Sequence, residues 1–278
     1  MLISGTAAFF GGIKMTINLG DVETTALIPV AIKASESLRK NPRVRDDVAV
    51  EMVKTLGLDT APFDKFMSHE GVIARTVMLD RMVKDFIAEN PEAVIVNIGA
   101  GFDNRFSRVD NGRIFWFDLD LPDSTELRKK VFAERERVSM LAGSVLEENW
   151  CQAVKAETEK RNSKVLFLAE GLFMYLTLEE IAKLLFVLKT NFSGGTLIAE
   201  QNNPLMVKNQ KYHDTVKNTN AVFKSGTWSG QEIAALCEGI RFVEEHSFNE
   251  EMKKHSVRGW LFAKLLPKMN DRWAIFEW

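Results

Sequence analysis

Between residues 93 and 201, five short runs of consecutive apolar residues alternate with segments of helical periodicity, and this pattern limits the fold more than any other. The apolar residues follow one another without polar alternation, which is typical of strands in a sheet covered on both faces. Strand–helix alternation of this kind predicts a parallel, doubly wound sheet. The five runs are residues 93–99, 113–120, 138–143, 164–171 and 196–201.

Two further apolar segments near the C-terminus, residues 241–248 and 257–265, predict two more strands. A short polar loop joins them, so we expect an antiparallel hairpin at one edge of the sheet. A mostly parallel sheet of seven strands with an antiparallel last strand suits a Rossmann-like methyltransferase better than a six-stranded dehydrogenase. The α/β class follows from the alternation itself.

The segment before the sheet, residues 22–90, predicts a cap of three helices. The first stops before Asn41–Pro42, because a residue preceding proline is pushed out of helical geometry. The second spans about 46–56 and ends at Gly57, and the third spans about 72–89. We expect one domain over 22–278, with residues 1–21 as an N-terminal extension and an irregular polar lid insertion at about 202–228.

The composition excludes several classes of protein. The net charge is −2 and basic residues are mixed with acidic ones, so a nucleic-acid partner is not expected. The two cysteines, Cys151 and Cys237, are far apart, and the four histidines lack metal-ligand spacing, which indicates no metal site and fits a reducing compartment. No apolar run is long enough to span a membrane, so we expect a cytoplasmic protein.

A glycine-rich turn, NIGAGFD (97–103), follows the first predicted strand of the sheet. In open α/β sheets, ligands bind beyond the carboxyl ends of the strands, where glycines let the backbone approach them. The third glycine of a pyrophosphate-binding GxGxxG is absent, and Asn104 stands in its place. The shorter motif favours S-adenosylmethionine over a nicotinamide dinucleotide, and the alternative is a tight turn that binds nothing.

Acidic residues stand at the ends of two predicted strands. Asp118 follows the glycines by about twenty residues, where a carboxylate accepts hydrogen bonds from ribose hydroxyls. We predict that Asp118 holds a ribose and that Asp120 caps a helix or clamps a loop; the alternative is an acidic first turn of the next helix. Glu170 is either a ligand of the cofactor or an anchor of its loop. Tyr175 either orients a substrate oxygen or only packs against neighbouring side chains.

Together, four segments resemble the leucine carboxyl methyltransferase family, and within it the bacterial branch of polyketide O-methyltransferases. The resemblance covers about residues 22–265. The segments that carry it are Ala74-Arg75-Thr76 with Asp80, NIGAGFDNRFSRVD (97–110), FDLDLP (117–122) and AEGLFMYL (169–176).

The resemblance implies a fold, a cofactor and a set of contacts to it. Arg75, which spacing alone does not single out, would pair with the cofactor carboxylate. Ser144 and Val145 would contact the adenine, although Ser144 replaces an acidic residue found in other members. The predicted cofactor-binding residues are Arg75, Gly99, Ala100, Gly101, Asp103, Asp118, Leu119, Ser144, Val145, Glu170 and Gly171.

The sequence thus predicts an S-adenosylmethionine-dependent O-methyltransferase acting on a carboxylate or a phenolic hydroxyl of a small molecule. A carboxylate acceptor needs no base, whereas a phenol with a pKa of about 10 benefits from one. Tyr175 and His213 are the candidate catalytic residues, His213 lying in the lid insertion. Two alternatives remain open: a nicotinamide-dependent oxidoreductase and a non-catalytic cofactor-binding protein. The sequence does not indicate the oligomeric state.

Overall fold

The computed structural model describes residues 6–10, 13–17, 21–210 and 221–278, with side chains described over 25–210 and 221–278. Strands β1 (Thr6–Phe10) and β2 (Ile13–Ile17) pair with each other as an antiparallel hairpin within the segment predicted as an extension. No helix within the described residues has the length and apolar character that crossing a bilayer requires.

Three helices follow, as predicted: α1 (Asp21–Ser37), α2 (Asp47–Leu56) and α3 (Phe66–Glu89). Helix α2 is capped by Asp46, whose side chain accepts from the Ala49 amide, and it ends at Gly57 with a φ of 59°. Helix α3 begins six residues earlier than the apolar periodicity predicts. The additional residues include the buried polar side chains of Ser68, His69 and Glu70, and Glu70 forms an ion pair with Arg43. A tertiary contact therefore extends this helix.

The alternation predicted for the central part of the chain is confirmed. The elements are β3 (Val94–Ile98), α4 (Phe106–Val109), β4 (Phe115–Asp120), α5 (Pro122–Val131), β5 (Val138–Ala142), α6 (Cys151–Arg161), β6 (Val165–Ala169), α7 (Leu178–Asn191) and β7 (Thr196–Gln201). A single 3₁₀ turn, Phe173–Tyr175, follows β6. Helix α7 starts with the predicted capping box, in which Thr177 and Glu180 satisfy each other's backbone amides.

The last part of the chain contains α8 (Pro204–Lys208), α9 (Gly230–Ala234), β8 (Arg241–Ser247), α10 (Asn249–Met252), α11 (Val257–Leu265) and β9 (Arg272–Glu277). The sheet has seven strands in the order β5-β4-β3-β6-β7-β9-β8. Strand β9 runs antiparallel to both of its neighbours, and the other neighbouring pairs are parallel. The predicted sheet of seven strands with an antiparallel last strand is confirmed.

The predicted position of that last strand is wrong, however. Residues 257–265 form α11, which Ser256 caps by accepting from the Gly259 amide, and Val257 and Leu265 are exposed on it. The strand is instead Arg272–Glu277, whose Trp273, Ala274 and Phe276 are buried between β7 and β8. Both segments are similarly apolar, so only the available place in the sheet decides between them. The connection from β8 to β9 is helical, not a short hairpin loop.

Hydrophobic clusters cover both faces of the sheet. One contains residues of α6 and α7 packed on β3, β4 and β6, and the other contains residues of α3 packed on the opposite face. Helices α1 and α3 then extend past the carboxyl ends of the strands, where both contribute to the walls of one large cavity. The fold therefore places the helical cap over the edge of the sheet at which ligands bind in α/β proteins.

Candidate active site

A cavity of about 700 Å³ lies at the carboxyl ends of the parallel strands, between the sheet and the helical cap. This volume lies in the range of small-molecule sites. Ten of the predicted site residues contribute to its walls. They are Arg75, Gly99, Ala100, Gly101, Asp103, Ser144, Val145, Glu170, Gly171 and Tyr175. The structure thus brings together residues that are up to a hundred positions apart in the sequence.

The glycine turn after β3 is held against the end of β4. Gly99 and Gly101 adopt φ values of 68° and 48°, in the left-handed region that favours glycine. The amides of Gly99 and Ala100 donate to the Leu119 carbonyl, at 2.8 and 3.1 Å. The Gly101 amide donates to Asp120 Oδ2 at 2.7 Å. The backbone of this turn therefore borders the cavity in a fixed conformation.

Asp120 holds the glycine loop through the Gly101 amide, as predicted, but Asp118 does not lie where a ribose ligand was expected. Asp118 is 2% exposed, does not line the cavity, and pairs with Arg128 at 2.7 Å and with the Trp116 indole at 2.8 Å. Side chains of a strand alternate between faces, so Asp120 shares the Asp118 face, but Asp120 ends the strand and reaches the cavity. The structure therefore places Asp120, and not Asp118, on the wall of the cavity.

Leu119, another predicted cofactor-binding residue, does not contribute to the cavity wall. Its side chain is fully buried in the hydrophobic core behind the sheet and does not line the cavity. Its contribution is the carbonyl that fixes the glycine turn. Asp118 acts on the same turn through Arg128, whose guanidinium donates to the carbonyls of Gly101 and Asp103 at 2.7 and 2.6 Å. Both residues therefore hold the glycine turn in place without lining the cavity themselves.

Arg75 reaches from α3 to two carboxylates on adjacent strand ends. Its Nε lies 2.8 Å from Glu170 Oε1, and its Nη1 lies 3.1 Å from Glu200 Oε2. Glu200 also accepts from the Gly171 amide at 2.6 Å. Burial raises the pKa of Glu200, reinforced by the negative charge of Glu170. Burial opposes the ionisation of Glu170, but Arg105 and Arg75 hold the pKa of Glu170 below its usual value.

A second charged cluster lies beneath the glycine turn and was only partly predicted. Asp103 pairs with Arg105 at 2.7 Å and with Lys33 of α1 at 3.3 Å. Burial opposes the charge of Asp103, but these cations hold its pKa well below the usual range. Arg105 is fully buried and also contacts Glu170 Oε2 at 2.6 Å and Asp80 at 2.7 Å. This cluster ties the cap to the turn.

Lys33 is one of the cavity residues that the sequence analysis missed. It stands in the first helix, where its charge on an otherwise apolar face was the available signal. Its ammonium group also pairs with Asp46 at 3.2 Å. Among the cavity walls that the structure describes, the cations are Lys33 and Arg75.

Ser144 and Val145 follow β5 and line the end of the cavity beyond Asp120. Ser144 Oγ accepts from the Leu146 amide at 3.2 Å, which fixes this loop. Tyr175 lies toward the opposite end, with its ring 5.8 Å from that of Phe223. Burial raises the pKa of the Tyr175 phenol. His213, the other predicted catalytic residue, lies outside the described residues.

Two acidic residues on the cavity walls were missed. Glu200 is the next-to-last residue of β7 and Glu170 directly follows β6, so the strand-end pattern that indicated Glu170 could have indicated Glu200 as well. Asp271 directly precedes β9, the strand that was predicted in the wrong place. Burial and the nearby Glu200 charge raise the pKa of Asp271 to about 7. A correct position for β9 would have drawn attention to it.

The fold and the cavity together define a Rossmann-like methyltransferase, and comparisons with known proteins agree. The sequence profile described as "Leucine carboxyl methyltransferase" matches residues 26–188, and the chain belongs to that family. It is 27% identical over 234 residues to the "Tetracenomycin polyketide synthesis O-methyltransferase TcmP" of Streptomyces glaucescens, covering 84% of this chain and 85% of that protein. A Gibberella zeae protein, "S-adenosyl-L-methionine-dependent methyltransferase dpfgK", is 27% identical and 91% of each chain is covered.

Solved structures share the fold. A crystal structure named as a "putative methyltransferase" from Thermobifida fusca has a TM-score of 0.56 at 13% identity, covering 90% of this chain and 93% of that one. A protein of the duf574 family from Streptomyces avermitilis has a TM-score of 0.52 at 13% identity, covering 91% and 96%. The protein is therefore an S-adenosylmethionine-dependent methyltransferase, and the oxidoreductase alternative is not favoured.

Proposed function

We propose that the protein transfers the methyl group of S-adenosylmethionine to an oxygen atom of a small molecule. The observation that carries this proposal is the continuity of the cavity, which runs from the glycine turn past Glu170 to an apolar region beside Tyr175. One continuous space can therefore hold an adenosyl group and an acceptor together. The relative of this protein in Streptomyces glaucescens is named as an O-methyltransferase of polyketide synthesis.

The residues around the glycine turn suit the nucleoside part of this cofactor. Asp120 can accept from two ribose hydroxyls, and the Ser144 hydroxyl with the Val145 backbone can meet the polar edge of the adenine. A Cβ atom on Gly99 would lie 3.1 Å from the Leu172 side chain and would narrow this part of the cavity. We assign Gly99, Ala100, Gly101, Asp120, Ser144 and Val145 to the adenosine.

The methionyl part meets the charged groups that follow the turn. Lys33 and Arg75 are the cations that can attract its carboxylate, while Glu170 and Asp103 can accept from its ammonium group. Bound there, the sulfonium supplies an activated methyl group, so the protein mainly has to position the acceptor and exclude water. The burial of Arg75, Glu170 and Glu200 strengthens each charge interaction at this point.

The test is direct binding followed by analysis of the product. Calorimetric titration with S-adenosylhomocysteine should show one site, whereas titration with NADH should show none. Incubation with S-adenosylmethionine and a panel of phenols, carboxylic acids and amines should then yield O-methyl products. Mild alkali separates the two oxygen classes, because it hydrolyses methyl esters and leaves methyl ethers intact. Absence of S-adenosylhomocysteine binding, or products that are only N-methylated, would refute the proposal.

A further inference from the structure

The exposed side of helix α11 is apolar. Four large apolar residues share this side, because residues three or four positions apart are neighbours on the surface of a helix. They are Val257, Trp260, Leu261 and Leu265, each at least 42% exposed, and we call them the apolar stripe. Single exposed apolar residues are common on protein surfaces, whereas a group of neighbouring ones is typical of a surface that contacts a partner.

The segment that contains the apolar stripe is also strongly basic. Residues 252–270 include five basic residues and no acidic ones, a formal charge of +5, whereas the whole chain carries −2. The basic residues are Lys253, Lys254, Arg258, Lys264 and Lys268, and all five are exposed. Lys254 pairs at 2.7 Å with Glu251, which lies just before the segment. The Lys264 ammonium lies 4.9 Å from the centre of the Trp260 ring, so positive charge stands within the stripe itself.

This combination of side chains matches the surface of an anionic lipid bilayer. A helix that lies on a bilayer buries one apolar side at the boundary of headgroups and acyl chains, while its basic residues attract anionic headgroups. Tryptophan and lysine suit that boundary, because each has an apolar body and a polar tip. A second copy of this chain matches less well, since a two-fold interface would bring two surfaces of the same positive charge together.

The same helix also forms part of the cavity wall. Phe262 lines the cavity, although the preceding residue, Leu261, belongs to the apolar stripe. Met269, a few residues after the helix, lines the cavity as well. The apolar stripe and the cavity wall are therefore opposite sides of one helix, about 10 Å apart.

We propose that α11 docks the protein on anionic lipid bilayers through the apolar stripe and the basic residues around it. The helix lies on the bilayer surface, since nine residues are too few to cross it. This inference goes beyond the proposed function and does not depend on it, because binding requires only the surface of α11. Docking would hold the cavity beside a lipid phase in which apolar molecules accumulate.

The test is flotation of the whole chain with lipid vesicles. One preparation is phosphatidylcholine with about one-third phosphatidylserine, and the other is phosphatidylcholine alone. We expect the protein to bind the anionic vesicles at least about tenfold more tightly than the neutral ones. Raising sodium chloride from about 0.1 to about 0.5 M should weaken this binding, because salt screens the attraction between the basic residues and the headgroups.

A pair of double variants assigns the binding to α11. Trp260→Gln with Lys264→Glu should weaken binding to the anionic vesicles by at least about tenfold, because it removes apolar contact and reverses a charge. The matched control is Phe186→Gln with Lys183→Glu, which makes the same kinds of change at an exposed aromatic residue and an exposed lysine of α7. The control should bind as wild type does. Thermal unfolding of both variants checks that each is folded.

Tryptophan fluorescence shows whether the stripe enters the bilayer. Anionic vesicles with brominated acyl chains should quench part of the fluorescence of the wild-type protein. Trp260→Phe should lose this quenching, whereas Trp228→Phe, which replaces another exposed tryptophan, should keep it.

Three results would each overturn the proposal. The first is wild-type protein that does not float with anionic vesicles, and the second is binding that the Trp260 and Lys264 changes leave intact. The third is a stable dimer, detected by light scattering, that these two changes dissociate, which would assign the apolar stripe to a second copy of the chain.

Discussion

Arg75 and Glu200 are 125 residues apart in the sequence, yet the Arg75 guanidinium donates to both Glu200 oxygens, at 3.2 and 3.1 Å. The same guanidinium contacts Glu170. One cation of the helical cap thus holds two carboxylates on the ends of neighbouring strands. This contact joins the cap to the sheet at the centre of the cavity.

We expect Arg75→Met to destabilise the protein by roughly 3–5 kcal/mol, because it leaves the buried Glu200 without its cation and leaves Glu170 with Arg105 alone. Urea unfolding measures this loss. Adding Glu200→Gln should restore part of the stability, since the double variant has one buried negative charge fewer. If the changes in the free energy of unfolding of the two single variants add up to that of the double variant, Arg75 and Glu200 do not interact energetically.

Asp120→Asn and Asp118→Asn separate cofactor binding from support of the turn. Asp120 lines the cavity, so Asp120→Asn should weaken S-adenosylhomocysteine binding by about tenfold or more, with a smaller loss of stability than Asp118→Asn. Asp118 is paired with Arg128 away from the cavity. Asp118→Asn should therefore lower the free energy of unfolding by about 2 kcal/mol or more. Calorimetry and urea unfolding of both variants test this, and the reverse pattern would restore Asp118 as the ribose ligand.

Asp271 should make stability depend on pH. Burial and Glu200 raise its pKa to about 7, against about 4 in an unfolded chain. Between these values the folded state keeps a proton that the unfolded chain has released, so the Asp271 contribution destabilises the fold progressively as pH rises from about 4 to about 7.

Asp271→Asn removes that penalty. We expect it to be more stable than wild type by roughly 2–4 kcal/mol at about pH 8 and nearly equal to it at about pH 4. Thermal unfolding across this pH range measures the difference, with Asp85→Asn as the control. A stability difference that does not change with pH would contradict the prediction.

The two cysteines should react at very different rates. Cys151 is 1% exposed, and burial raises the pKa of its thiol to about 11. Cys237 is partly exposed. An aromatic disulfide reagent at about pH 8 should therefore label one thiol rapidly and the second only on unfolding. Cys237→Ser should abolish the fast phase, and a fast phase that persists in this variant would place Cys151 at the surface.

Local sequence patterns were sufficient to predict much of the fold. Continuous apolar runs are read directly from the sequence, and they placed β3 to β8 within a few residues. The capping pair Thr177 and Glu180 set the start of α7 in the same way. Such predictions succeed because the interactions behind them involve residues close together in the chain.

Long-range contacts decided the rest. Residues 257–265 and 272–277 are both apolar enough for a strand, and only pairing with β7 and β8 selects the second. The different positions of Asp118 and Asp120 have the same origin, because Arg128 and Trp116 bind the Asp118 carboxylate away from the cavity, whereas Asp120 lines it.

By itself, then, the sequence determined the class of fold, the glycine turn and the carboxylates at the strand ends, because each is encoded in consecutive residues. Only the tertiary structure decided which carboxylates face the cavity, how Arg75 is shared between Glu170 and Glu200, and that Asp271 stands among them. Charge and burial depend on neighbours that the chain brings together from distant positions, and these neighbours set both pKa and access to a ligand.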